Sequence, residues 1–163
     1  MMISEDNIIS IEDAIITATY VHNGRIDKGG QPYILHCLRV MLKMGTYEER
    51  LVAVLHDTYE DISLNNLPHY SMASEFLKEL KSRLSNTTKE ALVAITRYND
   101  SYEDYIKRVS KNKLATKVKL ADLEDNMNLD RLPKPFTKAD LKRREKYQRA
   151  KEFLQKVSNA NFG

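Results

Sequence analysis

At 163 residues, with one cysteine and a net charge of +3 from 26 Lys+Arg against 23 Asp+Glu, the chain is expected to form one domain over 1–163, large enough to bury a core without covalent staples. The single Cys37 excludes a disulfide framework and a thiolate zinc knot and favours a reducing, cytoplasmic setting, while so small a charge bias does not by itself argue for nucleic acid. No run of about 18 apolar residues occurs, and MMISEDNIIS carries acidic residues where an export signal would be basic, so neither a membrane span nor export is expected.

Helical signals fill most of the chain. Ser10 with Asp13 can cap IEDAIITATYVH, which stops at Gly24, as a side-chain acceptor followed by an acid three residues on should. GRIDKGGQP is the clearest loop; Gly29 and Gly30 there either turn the chain or let its backbone approach a ligand, with Lys28 able to meet a phosphate. Thr46 with Glu49 opens YEERLVAVLHD, Thr87 with Glu90 opens KEALVAIT, and Ser101 with Asp104 opens YEDYIKRV. VKLADLEDNMNL is a further helical pattern, Pro133 and Pro135 bracket a second loop, and Thr137 with Asp140 opens a basic helix at about 137–158. No strand alternation, internal repeat or long linker competes, so the expected fold is an all-α bundle.

The basic helix holds seven Lys and Arg against Asp140 and Glu145 over 138–151; a solvated face is the simpler reading and a phosphate- or partner-facing patch the alternative. Lys117 and Lys119 read first as surface lysines, with screening of a phosphate beside Asp122 as the second reading. Tyr98, Tyr102 and Tyr105, flanked by Arg97 and Arg108, read as packing at helical spacing, or as one ring stacked on a base.

The residues that carry chemistry are His36, then His56-Asp57 with Glu60-Asp61, then Asp122 and Asn126. If the segment stays helical, His56 with Glu60 and Asp57 with Asp61 share faces one turn apart. Two imidazoles and two carboxylates suit Mn²⁺, Fe²⁺ or Co²⁺, an ion that polarises a phosphoryl oxygen and acidifies water. His22 ends an amphipathic helix and His69 follows Pro68; both read as structural or exposed, which leaves histidines for a single ion.

Three blocks, DKGGQPYILHCLRV at 27–40, AVLHDTYED at 53–61 and KLADLEDNMNL at 119–129, resemble the hydrolase domain of the RelA/SpoT family in its small single-domain form. The order H…HDxxED…D is that of an HD-type phosphohydrolase, and the resemblance runs from about residue 14 to residue 132. It implies an HD-domain helical bundle in which His36, His56, Asp57 and Asp122 hold one Mn²⁺ per chain, with Fe²⁺ or Co²⁺ as alternatives. It further implies that Glu60 and Asp61 position and activate the attacking water and that Asn126 contacts substrate beside the metal. Such enzymes remove the 3′-pyrophosphate from guanosine tetra- or pentaphosphate, and some small members take other 3′-phosphorylated nucleotides. The double-function members often read R-K-S-G-x-P-Y before the first histidine. This chain has Asp27 where that arginine is expected to lie against the base, with Arg25 as a substitute and Lys28 beside it.

The expected partner is a small-molecule nucleotide, with a homo-oligomer left open. One alternative is an HD nucleotidase or nucleoside-triphosphate hydrolase acting on another nucleotide. The other is a non-catalytic nucleotide-binding module, against which the Glu60-Asp61 pair argues, because a pure binding site gains nothing from like charges beside the ligands.

Overall fold

The computed structural model describes residues 9–60 and 70–162, the side chains of 70–73 excepted. Among the described residues there are eight complete α-helices: α1 Ile11–Val21, α2 Ile34–Leu42, α3 Tyr47–Leu55, α4 Tyr70–Arg83, α5 Asn86–Ile95, α6 Tyr102–Val109, α7 Lys113–Met127 and α8 Lys138–Phe162, with a 3₁₀ turn at Leu129–Arg131. Among the described residues there is no strand, and one isolated antiparallel bridge joins Ile26 to Pro32 across the glycine loop. The all-α architecture expected from the sequence is the one found.

Most helix starts follow the side-chain acceptors that the sequence offers. Ser10 with Asp13 and Thr46 with Glu49 form reciprocal capping boxes at α1 and α3, Ser101 accepts from the Asp104 N–H at α6, and Thr137 and Asp140 exchange bonds at the start of α8. Each satisfies amide donors that have no partner inside the helix. α5 departs from expectation: its cap is Ser85, not Thr87, and the helix begins at Asn86. The Ser85 hydroxyl accepts from the Thr88 N–H and lies 3.0 Å from Glu48 of α3. The basic helix also runs on to Phe162, about one turn beyond the expected end.

α3 and α7 form the interior. Leu51, Val52, Ala53, Val54 and Leu55 are all buried, so α3 is covered on every side at its C-terminal end. α7 packs against α2, α3, α5, α6 and α8 and buries Ala115, Val118, Ala121 and Leu123 together with two aspartates. The fully buried Leu55, Leu92, Leu123 and Leu154 each contribute roughly 1.5–3 kcal/mol, and Leu154 with Ala150 fixes the long α8 to this core.

α3 stops where the chemistry begins. The His56 Nδ1–H donates to the Ala53 carbonyl at 2.7 Å and the Thr58 hydroxyl to the Leu55 carbonyl at 2.6 Å, so side chains take acceptors that a continuing helix would have used. His56 and Asp57 therefore sit in a turn before helix resumes at Thr58, and the uninterrupted helix needed for the expected four-residue pairings is not formed there.

Candidate metal centre

Three separate segments bring four donor atoms together. His36 comes from α2, His56 and Asp57 from the turn after α3, and Asp122 from α7. His36 Nε2 lies 3.1 Å from Asp122 Oδ1 and 3.8 Å from Asp57 Oδ2; His56 Nε2 lies 3.1 Å from Asp57 Oδ2 and 3.6 Å from Asp122 Oδ1. Each of these His–Asp separations suits two atoms sharing one ion at bond lengths of about 2.1 Å; the compact group of mutually close donors comprises His36, His56 and Asp122, with Asp57 reaching it from the His56 side. His36, His56 and Asp122 are almost completely buried, and their donor atoms form a compact group able to hold a metal.

The hydrogen bonds decide which ring nitrogen is free. His36 Nδ1 meets Asp125 Oδ2 at 2.6 Å and His56 Nδ1 meets the Ala53 carbonyl. With its proton committed at Nδ1, each ring turns the Nε2 lone pair toward the aspartates. Both Nε2 atoms are buried and make no hydrogen bond, a costly arrangement unless something accepts the lone pairs. A carboxylate or carbonyl behind each ligating imidazole is also how metal-bound histidines are held. The donor set fits a divalent cation.

The charges lead to the same point. Burial lowers the proton affinity of the two imidazoles, but Asp57, Asp122 and Asp125 more than reverse it and raise both. Burial would raise the acids at Asp57 and Asp122, yet His56 beside the first and Lys119 beside the second hold both below the usual carboxylate range. The centre of the cluster demands positive charge.

Asp125, one turn from Asp122 on α7, carries much of the surrounding scaffold. It accepts from Arg39 at 2.7 and 3.1 Å and from Arg131 at 2.5 Å in addition to His36. Nothing in the sequence reading selected it, although its i,i+3 spacing from Asp122 is a signal that it shares that face. Tyr33 was likewise missed as a participant: its hydroxyl donates to Asp57 Oδ2 at 2.5 Å, orienting the carboxylate that faces the histidines.

Two cavities adjoin the cluster. One, of about 180 Å³, is bounded by Asp57, Glu60, Arg97, Lys119 and Lys146; the other, of about 240 Å³, by Arg25, Lys28, Arg131 and Arg143. Asn126, Tyr33 and Tyr147 line both, and Asn126 donates to Asp122 Oδ1 at 2.5 Å. Burial raises the acid at Glu60, Asp57 raises it further, and Lys119 and Arg97 oppose them. Asp61 and His69 lie outside the described residues.

Several first readings change here. Lys119 is not a surface lysine: its side chain is 12% exposed and bonds Asp122 Oδ2 at 2.7 Å. Lys117 is exposed and pairs with Glu49 at 2.6 Å, away from the cluster. α8 is not merely a solvated face, because Arg143 and Lys146 line the two cavities; burying Ala150 and Leu154 turns that side of the helix inward. Among the tyrosines, Tyr98 is exposed, Tyr105 is buried with its hydroxyl on the Ile95 carbonyl, and Tyr102 lines the Glu60 cavity with its hydroxyl buried and without a hydrogen bond. His22 is buried, with its ring 5.0 Å from Tyr33.

Asp27 lines the larger of the two cavities, with both carboxylate oxygens engaged by neighbouring groups of the protein. Its Oδ1 accepts from the Gly29 and Gln31 N–H groups at 2.8 and 2.9 Å, and Oδ2 pairs with Arg131 at 2.5 Å. Arg25 lies 4.0 Å over the Tyr33 ring, and Lys28 is exposed at the cavity rim. No helix of the described residues is long and apolar enough to cross a membrane. Comparison of the chain with protein-family models and with curated proteins finds no match.

Proposed function

We propose that the chain is a metal-dependent phosphohydrolase that removes the 3′-pyrophosphate from a guanosine tetra- or pentaphosphate or a related 3′-phosphorylated nucleotide. The observation that carries this reading is the pair of buried Nε2 atoms, free of hydrogen bonds and facing two aspartates, beside cavities rimmed with cations. His36, His56, Asp57 and Asp122 would hold one ion, for which Mn²⁺ is the first choice and Fe²⁺ or Co²⁺ the alternatives. Such an ion supplies Lewis-acid polarisation of a phosphoryl oxygen and a more acidic water.

The chain's own residues supply the rest. Glu60, its acid raised by burial, takes a proton from the attacking water as the water oxygen bonds to phosphorus and the bond from phosphorus to the 3′-oxygen breaks; the proton then passes to the 3′-oxygen, which leaves as the ribose hydroxyl. Lys119, Arg97 and Lys146 offset the charge on the departing phosphates, and Asn126 holds the Asp122 carboxylate while presenting its amide to the substrate side. Cations in both cavities suit a nucleotide phosphorylated at both ends of its ribose. The RelA/SpoT-like order of motifs supports the same chemistry.

Purified protein with Mn²⁺ and a panel of guanosine tetraphosphate, 3′-phosphorylated adenine nucleotides and ordinary triphosphates, products resolved by chromatography, tests the reading. Pyrophosphate released from the 3′ position is the expected result. Turnover of ordinary triphosphates alone would favour a nucleotidase. Binding of metal and nucleotide without turnover would favour a non-catalytic nucleotide-binding module.

A further inference from the structure

A third cavity, of about 320 Å³, lies between α6 and α8, on the far side of Tyr102 and Lys146 from the metal cluster. Its floor is apolar: Ile106 and Ala150 are buried, and Phe153 forms a wall that is 38% exposed. That volume is within the range that takes a small molecule.

The rim has a definite charge. Glu103 and Lys107 bond each other at 2.8 Å and largely neutralise one another. Lys146 and Arg149, by contrast, have no salt-bridge partner among the described residues. The Lys146 ammonium stands 4.1 Å over the Tyr102 ring, and burial, then the charges of Arg97, Lys119 and Arg143, make holding its proton harder. A partly buried cation with cationic neighbours and no counter-ion favours an incoming anion.

We infer that the groove between α6 and α8 is a second binding site, taking a small aromatic anion whose ring packs on Ile106, Ala150 and Phe153 and whose charged group meets Lys146 and Arg149. The ring supplies apolar contact area and the anion supplies orientation, as in sites where few polar groups surround an apolar floor. Tyr102 and Lys146 also line the Glu60 cavity, so the groove adjoins that cavity through these two side chains; binding in the groove does not depend on the reaction proposed for the metal cluster.

The probe is 8-anilinonaphthalene-1-sulfonate, titrated into the full chain and followed by fluorescence, with methyl-resolved NMR to place it. One saturable site per chain is expected, with shifts centred on the Ile106 and Ala150 methyls. Arg149→Glu, at an exposed position, should weaken binding at least about tenfold, the size of one lost charge-assisted contact, and Phe153→Ser should weaken it similarly, both with unchanged melting temperature. The neutral analogue N-phenyl-1-naphthylamine should bind at least about tenfold more weakly than the sulfonate. Shifts centred elsewhere, equal binding of the neutral analogue, or unchanged affinity in both variants would overturn the assignment. So would sedimentation showing that Phe153→Ser turns a dimer into a monomer, which would give the groove to a second copy of the chain.

Discussion

Glu60 shares a cavity with Asp57 and Asp122 yet titrates in the opposite direction, because burial and the Asp57 charge oppose its ionisation more than Lys119 and Arg97 favour it. A base must be unprotonated to act, so activity should fall as pH drops through the raised Glu60 value, and this acid limb should vanish with the side chain's proton chemistry. Glu60→Gln is expected to keep the metal and lose about 10²–10⁴-fold in kcat, the usual share of a positioned acid or base; near-wild-type turnover would remove Glu60 from the mechanism. Asp125 acts one step further out. Asp125→Asn should weaken Mn²⁺ binding by roughly 10–100-fold, and calorimetric titration with an unchanged affinity would show that His36 needs no carboxylate behind it. His22 offers a test of stability. Burial above all pushes it down to about 4 from 6.5, so between those values the unfolded chain binds more protons and stability falls as pH falls, by up to roughly 3 kcal/mol. In His22→Gln the urea midpoint should drop less between pH 7 and pH 4 than in the wild type.

At the scale of elements, the glycine loop and the 3₁₀ turn are pressed together. A Cβ at Gly29 would collide with the Arg131 carbonyl, and backbone cannot step aside as a flexible side chain can. Gly29→Ala should cost about 1–3 kcal/mol, read as a lower urea midpoint; no change would mean that the loop stands away from the turn in solution. Asp27→Arg, which the family pattern suggests as a gain in base recognition, should instead break the loop, since it removes two backbone bonds and sets a second cation against Arg131. How far sequence alone reaches can be read from the same elements. Capping boxes at α1, α3 and α8 were legible because their partners lie three residues apart. Ser85 carries no such signal, since the residue three on is Thr88 and Glu48 reaches it only in the folded bundle. The assembly of His36, His56, Asp57 and Asp122 followed from motif order, whereas Lys119 and Asp125 stayed hidden because burial on α7 is set by α2, α6 and α8 packing around it.

For the whole molecule, the proposed ligands come from α2, the α3 turn and α7, so a bound ion would be a cross-link between distant parts of the chain. An ion that binds only the folded state adds RT ln(1 + [L]/Kd), about 2.7 kcal/mol at a hundredfold excess over Kd. Mn²⁺ should therefore raise the melting temperature of the wild type, and Asp122→Ala should abolish that rise while binding less than one ion per chain; a full complement in that variant would refute the ligand set. The same spacing bears on biosynthesis. At about 5–20 residues per second, His36 is made roughly 4 to 17 s before Asp122. A nascent chain thus offers only an incomplete, unshaped group of donors until α7 closes onto α2 and α3, so capture of the proposed metal would be a late event.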